Sequence, residues 1–391
     1  MTYFIGIDIA KFKHDCFIMD HNGEVFRNTF TFKNDKTGFN DLLSVLKLLD
    51  PNQEKRIGFE ATGHYATNLK IFLEEHEYSF MEINPLLISE FSKATTLRRT
   101  KTDKKDAQLI ARFISSNEYK PYPYKSYHIR NLKSLTRARE NLVKKRSKLI
   151  VYMTNILDLM FPEFKPFFKG SLTSATCLYI LEEYTSPSKI SRMNIDSYHK
   201  MSSKLRRTIS YARFLELKHL AKTTVGTEDE ILIFELRTFL DLYKVFVEKI
   251  EEVDSKIKSE LNDIDTHITS IPGIGPISAA SIYSEFNGIQ CFDTPSQMTA
   301  FAGLEPSKND SGEQSHKGHM VKHGSSYLRQ TLMNVSESSL LHNPKIYEYY
   351  IKKRKEGKHH RVVLSHIAKK LVRIIFMLEK NNIDFDLDKM R

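Results

Sequence analysis

The chain has 391 residues, 40% of them hydrophobic and 27% charged, which is long enough for two or three domains with cores of ordinary size. A formal net charge of +11 and a pI near 9.2 favour a polyanionic partner such as nucleic acid. The cysteines Cys16, Cys177 and Cys291 form no CxxC pair, which argues against a disulfide framework or a zinc site. No apolar run approaches bilayer-spanning length and no basic leader precedes TYFIGIDIA, so we expect a cytoplasmic protein with no membrane partner.

Residues 3–9 are an apolar, β-branched run ending near Asp8. Two further strand-like runs, 14–19 and 24–32, flank His21-Asn22-Gly23, a strong hairpin signal. A helix near 37–49, a strand at 56–60 ending on Glu60, a helix at 65–76 and a strand at 78–83 closed by Asn84-Pro85 follow. A three-strand meander and then alternating helix and strand is the order of a ribonuclease-H-like α/β domain, although periodicity alone reads only as mixed α/β.

From 129 to 160 the pattern becomes helical. Leu132, Leu135, Leu142, Leu149, Met153, Ile156 and Met160 fall at heptad spacing, with Arg139 and Arg146 in the gaps of the seam. A cleaner seam runs through Leu232, Leu236, Phe239, Tyr243, Phe246, Ile250, Val253 and Ile257. Such spacing indicates long coiled-coil helices. They pair with each other as an antiparallel hairpin or with a second protomer; the pattern allows both. Residues 163–223 are mixed and basic, with little periodicity and no evident function. Ile271-Pro-Gly-Ile-Gly-Pro276 then resembles the turn of a helix-hairpin-helix, whose backbone N–H groups suit a phosphate; a tight turn between packed helices is the plainer alternative. The expected divisions are 1–125, 126–265 with an insert near 163–223, and a mainly helical 266–391.

Four carboxylates stand out. Asp8 and Glu60 each end a strand, and Asp103 and Asp106 lie three apart at the start of a helix, on one face. Converging acids repel unless protonated or bridged by cations, and all-oxygen ligation suits Mg²⁺ or Mn²⁺. Taken singly, each has an ordinary explanation as a turn residue, a solvated acid or a helix N-terminal acid. What raises the set is its surroundings: Arg98, Arg99, Lys101, Lys104 and Lys105 crowd around Asp103 and Asp106, as expected where a metal site also holds a phosphate backbone.

These residues carry a resemblance. Gly6-Ile-Asp8-Ile-Ala-Lys11, Phe59-Glu60-Ala-Thr-Gly63, Ile83-Asn84-Pro85 and Lys101-Thr-Asp103-Lys-Lys-Asp106-Ala107 resemble the N-terminal half of the DEDD-type insertion-sequence transposases. Ser270-Ile-Pro-Gly-Ile-Gly-Pro276, Phe301-Ala-Gly-Leu-Glu-Pro306 and Ser311-Gly312 resemble their C-terminal transposase domain. The resemblance implies a RuvC-like N-terminal domain whose carboxylates Asp8, Glu60, Asp103 and Asp106 bind metal. It also implies a coiled coil that assembles a homo-oligomer (dimer or tetramer) and a C-terminal domain supplying a nucleophilic serine. The partners implied are donor and target DNA and a structured guide RNA, in a bacterial or archaeal cytoplasm.

Ser307, Ser311, Ser315, Ser325 and Ser326 all lie between Glu305 and Arg329. Ser311 matches the family's nucleophile position, with Ser315 second. Attack by a serine on phosphorus conserves the ester, so strands can be rejoined without an energy-supplying cofactor. Lys308, Lys317, Lys322 and Arg329 are placed to neutralise the phosphorane, with His316, His319 and His323 as proton carriers. Gly273 and Gly275 are the expected backbone contacts to phosphate. The competing readings are a metal-dependent structure-specific endonuclease, in which the serine region only binds, and a non-enzymatic nucleic-acid scaffold.

Overall fold

A computed structural model describes residues 2–61, 63–95, 103–121, 127–305, 309–311, 314–316 and 324–389. The chain divides into two compact units, Met1–Tyr124 and Lys125–Arg391.

The first unit opens with strands β1 (Thr2–Ile9), β2 (Lys13–Met19) and β3 (Val25–Lys33). The β2–β3 turn forms where expected. Asp20 accepts hydrogen bonds from the backbone N–H groups of Asn22 and Glu24 at 2.9 and 2.8 Å, and Gly23 takes a positive φ of 83° that a side chain would resist. Helix α1 (Lys36–Lys47) starts where Asp35 accepts from the Gly38 N–H. Strand β4 (Glu54–Glu60), helix α2 (Thr67–Glu75), strand β5 (Phe80–Ile83) and helices α3 (Pro85–Thr95) and α4 (Asp103–Ser116) complete the unit.

The sheet order is β3-β2-β1-β4-β5. β1 pairs antiparallel with β2 and parallel with β4, and β4 pairs parallel with β5. This mixed sheet is the arrangement expected of a nuclease-like α/β domain. Ile5, Ile7, Cys16 and Ile18 bury one face beneath Leu42 and Leu46 of α1 and Leu69 and Leu73 of α2. Phe4, Phe17 and Met19 bury the other beneath Ala107, Ile110, Ala111 and Ile114 of α4. Alternation along each strand therefore decides which side chains meet α4.

His14 is fully buried on the α1 face, against Phe32 and Phe39. Among the described residues neither ring nitrogen has a hydrogen-bond partner of ordinary geometry. Burial pulls its pKa below the ordinary value, against the opposing pull of Asn34 and Asp15. The folded state thus holds the neutral ring. Its contribution is present above the unfolded-state pKa near 6.5 and is lost as pH falls through that value toward the lower folded one. The unfolding free energy of the full chain should therefore fall with acidity below pH ~6.5, by up to about 1.4 kcal/mol per pH unit. His14→Phe should flatten that dependence; an equal slope in the variant would refute the assignment.

The second unit is built on two long helices, α5 (Tyr127–Met160) and α11 (Glu230–Asn262). Between them lie α6 (Phe164–Phe167), α7 (Ala175–Glu183), α8 (Pro187–Ser191), α9 (Ile195–Lys204) and α10 (Tyr211–Thr223). The long helices pack on each other in antiparallel sense: Asn131 bonds to Glu260 and Arg139 pairs through two bonds with Asp254. The ion pair explains the first break in the heptad seam. The second, Arg146, has its Nε buried with no hydrogen-bond partner among the described residues.

The five short helices, which the sequence left without an account, form one apolar core with Leu149, Met153, Ile156 and Met160 of α5 and Leu236, Leu240 and Tyr243 of α11. They cap the far end of the helical pair. Its near end, Leu132, Ile257 and Leu261, is buried with the C-terminal helices. These are α12 (Pro276–Phe286), α13 (Pro295–Phe301), α14 (Ser326–His342), α15 (Pro344–Lys355) and α16 (His360–Asn381). A small hairpin of β6 (Asn309–Ser311) and β7 (Gln314–His316) lies between α13 and α14 in sequence. Among the described residues no helix is long and apolar enough to cross a membrane.

Candidate active site

In the first unit, Asp8 sits at the end of β1 and Glu60 at the end of β4. The last recorded pair of this parallel ladder is Ile7 with Phe59, so the two acids are the next rung. Both follow the alternation of Gly6 and Gly58 and so belong to the α4 face of the sheet. Gly6 lets α4 lie against β1: a Cβ there would stand 2.2 Å from the Ala107 backbone oxygen and 2.5 Å from the Ala111 nitrogen. That contact sets α4, and with it Asp106, over the strand carrying Asp8. Asp8, Glu60 and Asp106 are all half-buried.

Asp103 is the first residue of α4, and its side chain lies outside the described set, as does that of Lys104; Lys105 is exposed on the helix. Arg98, Arg99 and Lys101 are outside the described residues altogether. Among the described residues no three His, Cys, Asp or Glu side chains converge tightly enough to hold a metal ion. The donor chemistry nevertheless fits a hard divalent cation, since every candidate is a carboxylate.

A fifth acid, absent from the sequence reading, belongs to this face. Asp15 on β2 is directly opposite Asp8 in the antiparallel register. It is only 4% exposed and accepts a hydrogen bond from the Thr31 hydroxyl on β3. Opposed residues in an antiparallel pair project to the same side, so Asp15 and Asp8 face α4 together. The available signal was an acid inside an otherwise apolar strand, His14-Asp15-Cys16-Phe17-Ile18.

In the second unit, Ser311 ends β6 and Ser315 lies on β7; the register pairs Ser311 with Gln314 and Asp310 with Ser315. Nothing more is described of either side chain, and Lys308, Lys317 and Lys322 fall outside the described residues. Arg329, on the first turns of α14, is half-buried with its Nη1 enclosed and without a hydrogen-bond partner among the described residues.

Gly273 and Gly275 differ. Gly273 has φ +93° and a Cβ there would meet the Ser339 Cα at 2.9 Å, so it is glycine because α14 packs against it. Gly275 is the N-cap of α12 with no side-chain cap, and a Cβ there would touch nothing. The turn is entered from a 3₁₀ turn, Ile268–Ser270.

Near these residues an ion cluster fixes the start of α14. Glu285 of α12 is 1% exposed and takes two bonds from Arg137 of α5, at 2.6 and 3.0 Å, with Lys133 at 3.8 Å. The Ser325 hydroxyl donates to it at 2.8 Å and also caps α14, accepting from the Leu328 N–H. Burial opposes the Glu285 charge, but the Arg137 bonds, Lys133 and Ser325 together hold its carboxyl below the usual range.

The mixed sheet, with acids at the ends of adjacent parallel strands beneath one helix, defines an α/β domain of nuclease-like class. A model of the DEDD-type IS110 transposases, described as "Transposase", matches residues 5–162, and one described as "Transposase IS116/IS110/IS902 family" matches residues 265–351. The insertion element IS116 44.8 kDa protein of Streptomyces clavuligerus is 24% identical over 387 residues, covering 96% of this chain and 94% of its own. The transposase for insertion sequence element IS1111A of Coxiella burnetii is 22% identical over 67% of this chain and 61% of its own. The pilin gene-inverting protein of Moraxella lacunata is 32% identical over 163 residues, 40% of this chain and 49% of its own. The chain belongs to the IS110 family of DEDD-type transposases.

Proposed function

We propose that this transposase cuts and rejoins DNA by transferring a phosphodiester onto Ser311, with Asp8, Glu60, Asp103 and Asp106 of a RuvC-like domain holding Mg²⁺ or Mn²⁺. The observation that carries the reading is the ladder end where Asp8 and Glu60 lie side by side on the face covered by α4. A bound divalent ion would polarise the phosphodiester and offset the charge of its oxygens. The carboxylates orient the phosphate rather than activate water. Ser311 Oγ attacks phosphorus, the P–O bond to the leaving strand breaks, and the hydroxyl proton passes to a neighbouring base such as His316, His319 or His323. A free strand end reverses the step, so the ester is conserved.

Lys308, Lys317, Lys322 and Arg329 meet the developing charge; the enclosed Nη1 of Arg329, without a hydrogen-bond partner among the described residues, supports that role. Arg98, Arg99, Lys101, Lys104 and Lys105 bind the DNA backbone beside the carboxylates. The helix-hairpin-helix-like turn presents the open N-terminus of α12 at Gly275 to phosphate, which its missing side-chain cap supports; Gly273 serves packing. The coiled coil of α5 and α11 supports assembly into a dimer or tetramer in a bacterial or archaeal cytoplasm. A structured guide RNA, implied by the family resemblance, selects donor and target DNA by base pairing, leaving the protein to read backbone and shape.

Trapping tests the reaction. Incubation with substrate DNA and Mg²⁺ should give a protein–DNA adduct that survives denaturation and disappears in Ser311→Ala. Metal-dependent cleavage by Ser311→Ala, with no adduct from the unaltered protein, would replace this mechanism with the endonuclease reading.

A further inference from the structure

Residues 344–381 hold eleven Lys and Arg against three acids, a net +8 within a chain whose total is +11. Neither the carboxylate site nor the serine hairpin uses this segment. It forms α15 and α16, which bury Ile346, Val363, Leu364 and Ile367 in the C-terminal core and turn their cations outward. On α16, His366, Lys369, Lys370 and Arg373 recur at helical spacing along one face. With Tyr349 of α15 and Lys389 beyond α16 they line a cleft of about 520 Å³.

The cleft gathers more positive charge than its neighbouring acids offset; Lys389 is paired with Asp386 at 3.5 Å. Lys370 Nζ lies 5.2 Å from the Tyr349 ring centroid and Lys353 Nζ 5.7 Å from the same ring. Glu356 is occupied by Lys353 at 2.9 Å. Glu379 is buried and accepts from the Thr266 hydroxyl and the His267 N–H. Lys369 and Arg373 have no hydrogen bond or ion pair among the described residues, and Glu305 is the one acid whose charge favours Lys369. Burial depresses the pKa of Lys369 and Lys370, and Arg373 and Lys345 respectively depress them further. His366 is depressed likewise, by burial and then by Lys358, Lys369 and Lys353, with Glu356 opposing. Half-buried like charges on one helix face destabilise the fold, and a polyanion lying along that face removes the penalty.

We propose that the α15–α16 cleft is a further DNA-binding site, which grips the phosphodiester backbone of the duplex on which the transposase acts and does not read its sequence. The proposal rests on the assignment of the chain as a transposase. Lys369 and Arg373 stand about one helical turn apart, roughly 5.4 Å of rise, and so address neighbouring phosphates. The cleft's cations supply charge to phosphate oxygens, and among the described residues no Asn or Gln lines it for bidentate base readout.

The test compares the full-length protein with Lys369→Gln/Lys370→Gln/Arg373→Gln in binding a duplex of arbitrary sequence across roughly 50–200 mM salt, with thermal unfolding in parallel. The variant should bind at least about 10-fold more weakly at low salt whatever the duplex sequence. The slope of log affinity against log salt should fall by about 2–3, at ~0.9 per phosphate released. Its unfolding midpoint should stay the same or rise, because repulsion is relieved, which separates lost binding from lost folding. Lys369→Arg/Lys370→Arg should keep the slope. An unchanged slope in the triple variant, a loss confined to one sequence, or a loss for structured RNA with duplex DNA unaffected would each overturn the proposal. Binding is read without a chemical step, so an absent serine adduct would sink the reaction proposed above and leave this result standing.

Discussion

Asp8→Asn should lower strand exchange about 10³-fold, roughly 4 kcal/mol of transition-state stabilisation, while leaving the protein folded. Asparagine keeps the shape of the side chain and removes the charge that a hard cation needs. Asp8 lies opposite Asp15 and on the next rung from Glu60. Losing one of three neighbouring negative charges should hold or raise the unfolding midpoint in metal-free buffer. The stabilisation gained on adding Mg²⁺ should shrink in the same variant. Exchange within a few-fold of the unaltered protein would remove Asp8 from the reaction and with it the metal reading of the ladder end.

Gly6→Ala should be nearly as damaging for a different reason. Its new methyl would stand 2.2 Å from a backbone oxygen of α4 and 2.5 Å from a backbone nitrogen. Backbone cannot swing aside as a side-chain end can, so α4 must lift from the sheet. We expect a cost of about 3 kcal/mol by thermal or denaturant unfolding. A loss of strand exchange should exceed what the unfolded fraction explains, because Asp103 and Asp106 travel with α4. Gly58→Ala is the control. A Cβ there meets the Ile114 Cγ2 methyl at 2.8 Å and the Ile83 Cδ1 at 3.3 Å, side-chain atoms rather than backbone. It should cost clearly less, and equal losses from the two substitutions would discredit the backbone-contact argument.

Much of the first unit was legible because its signals are local. The Asn22-Gly23 turn, the alternating apolar runs and the strand-ending acids each depend on a few neighbouring residues, and the resulting sheet has the expected order of elements. Asp15 escaped notice because its partner is distant in sequence. One acid in an apolar strand has no visible meaning until the register sets it beside Asp8. The heptad seams of the long helices were equally plain, yet periodicity gives a buried stripe and not the identity of what buries it. It is the Asn131–Glu260 bond, the Arg139–Asp254 pair and the shared apolar ends that assign each helix to the other within this unit.

Residues 163–223 lacked a pattern because short helices packed among several neighbours are buried irregularly, so no single period is imposed on them. The charge of 344–381 was present in the composition, but a sum over the whole chain spreads it evenly. The helix face that collects it exists only after α15 and α16 have buried their apolar sides.

The amino-acid sequence by itself determined the family and placed Asp8 and Glu60 at strand ends, and the proposal of Ser311 as nucleophile likewise rests on local pattern and motif. Tertiary structure alone decided that Gly6 is a seat for α4, that Gly273 is a packing residue, that Asp15 faces Asp8 and that the α16 cations share one cleft. Each of those depends on which residues far apart in the chain come within a few ångströms, a property of packing that no local pattern encodes.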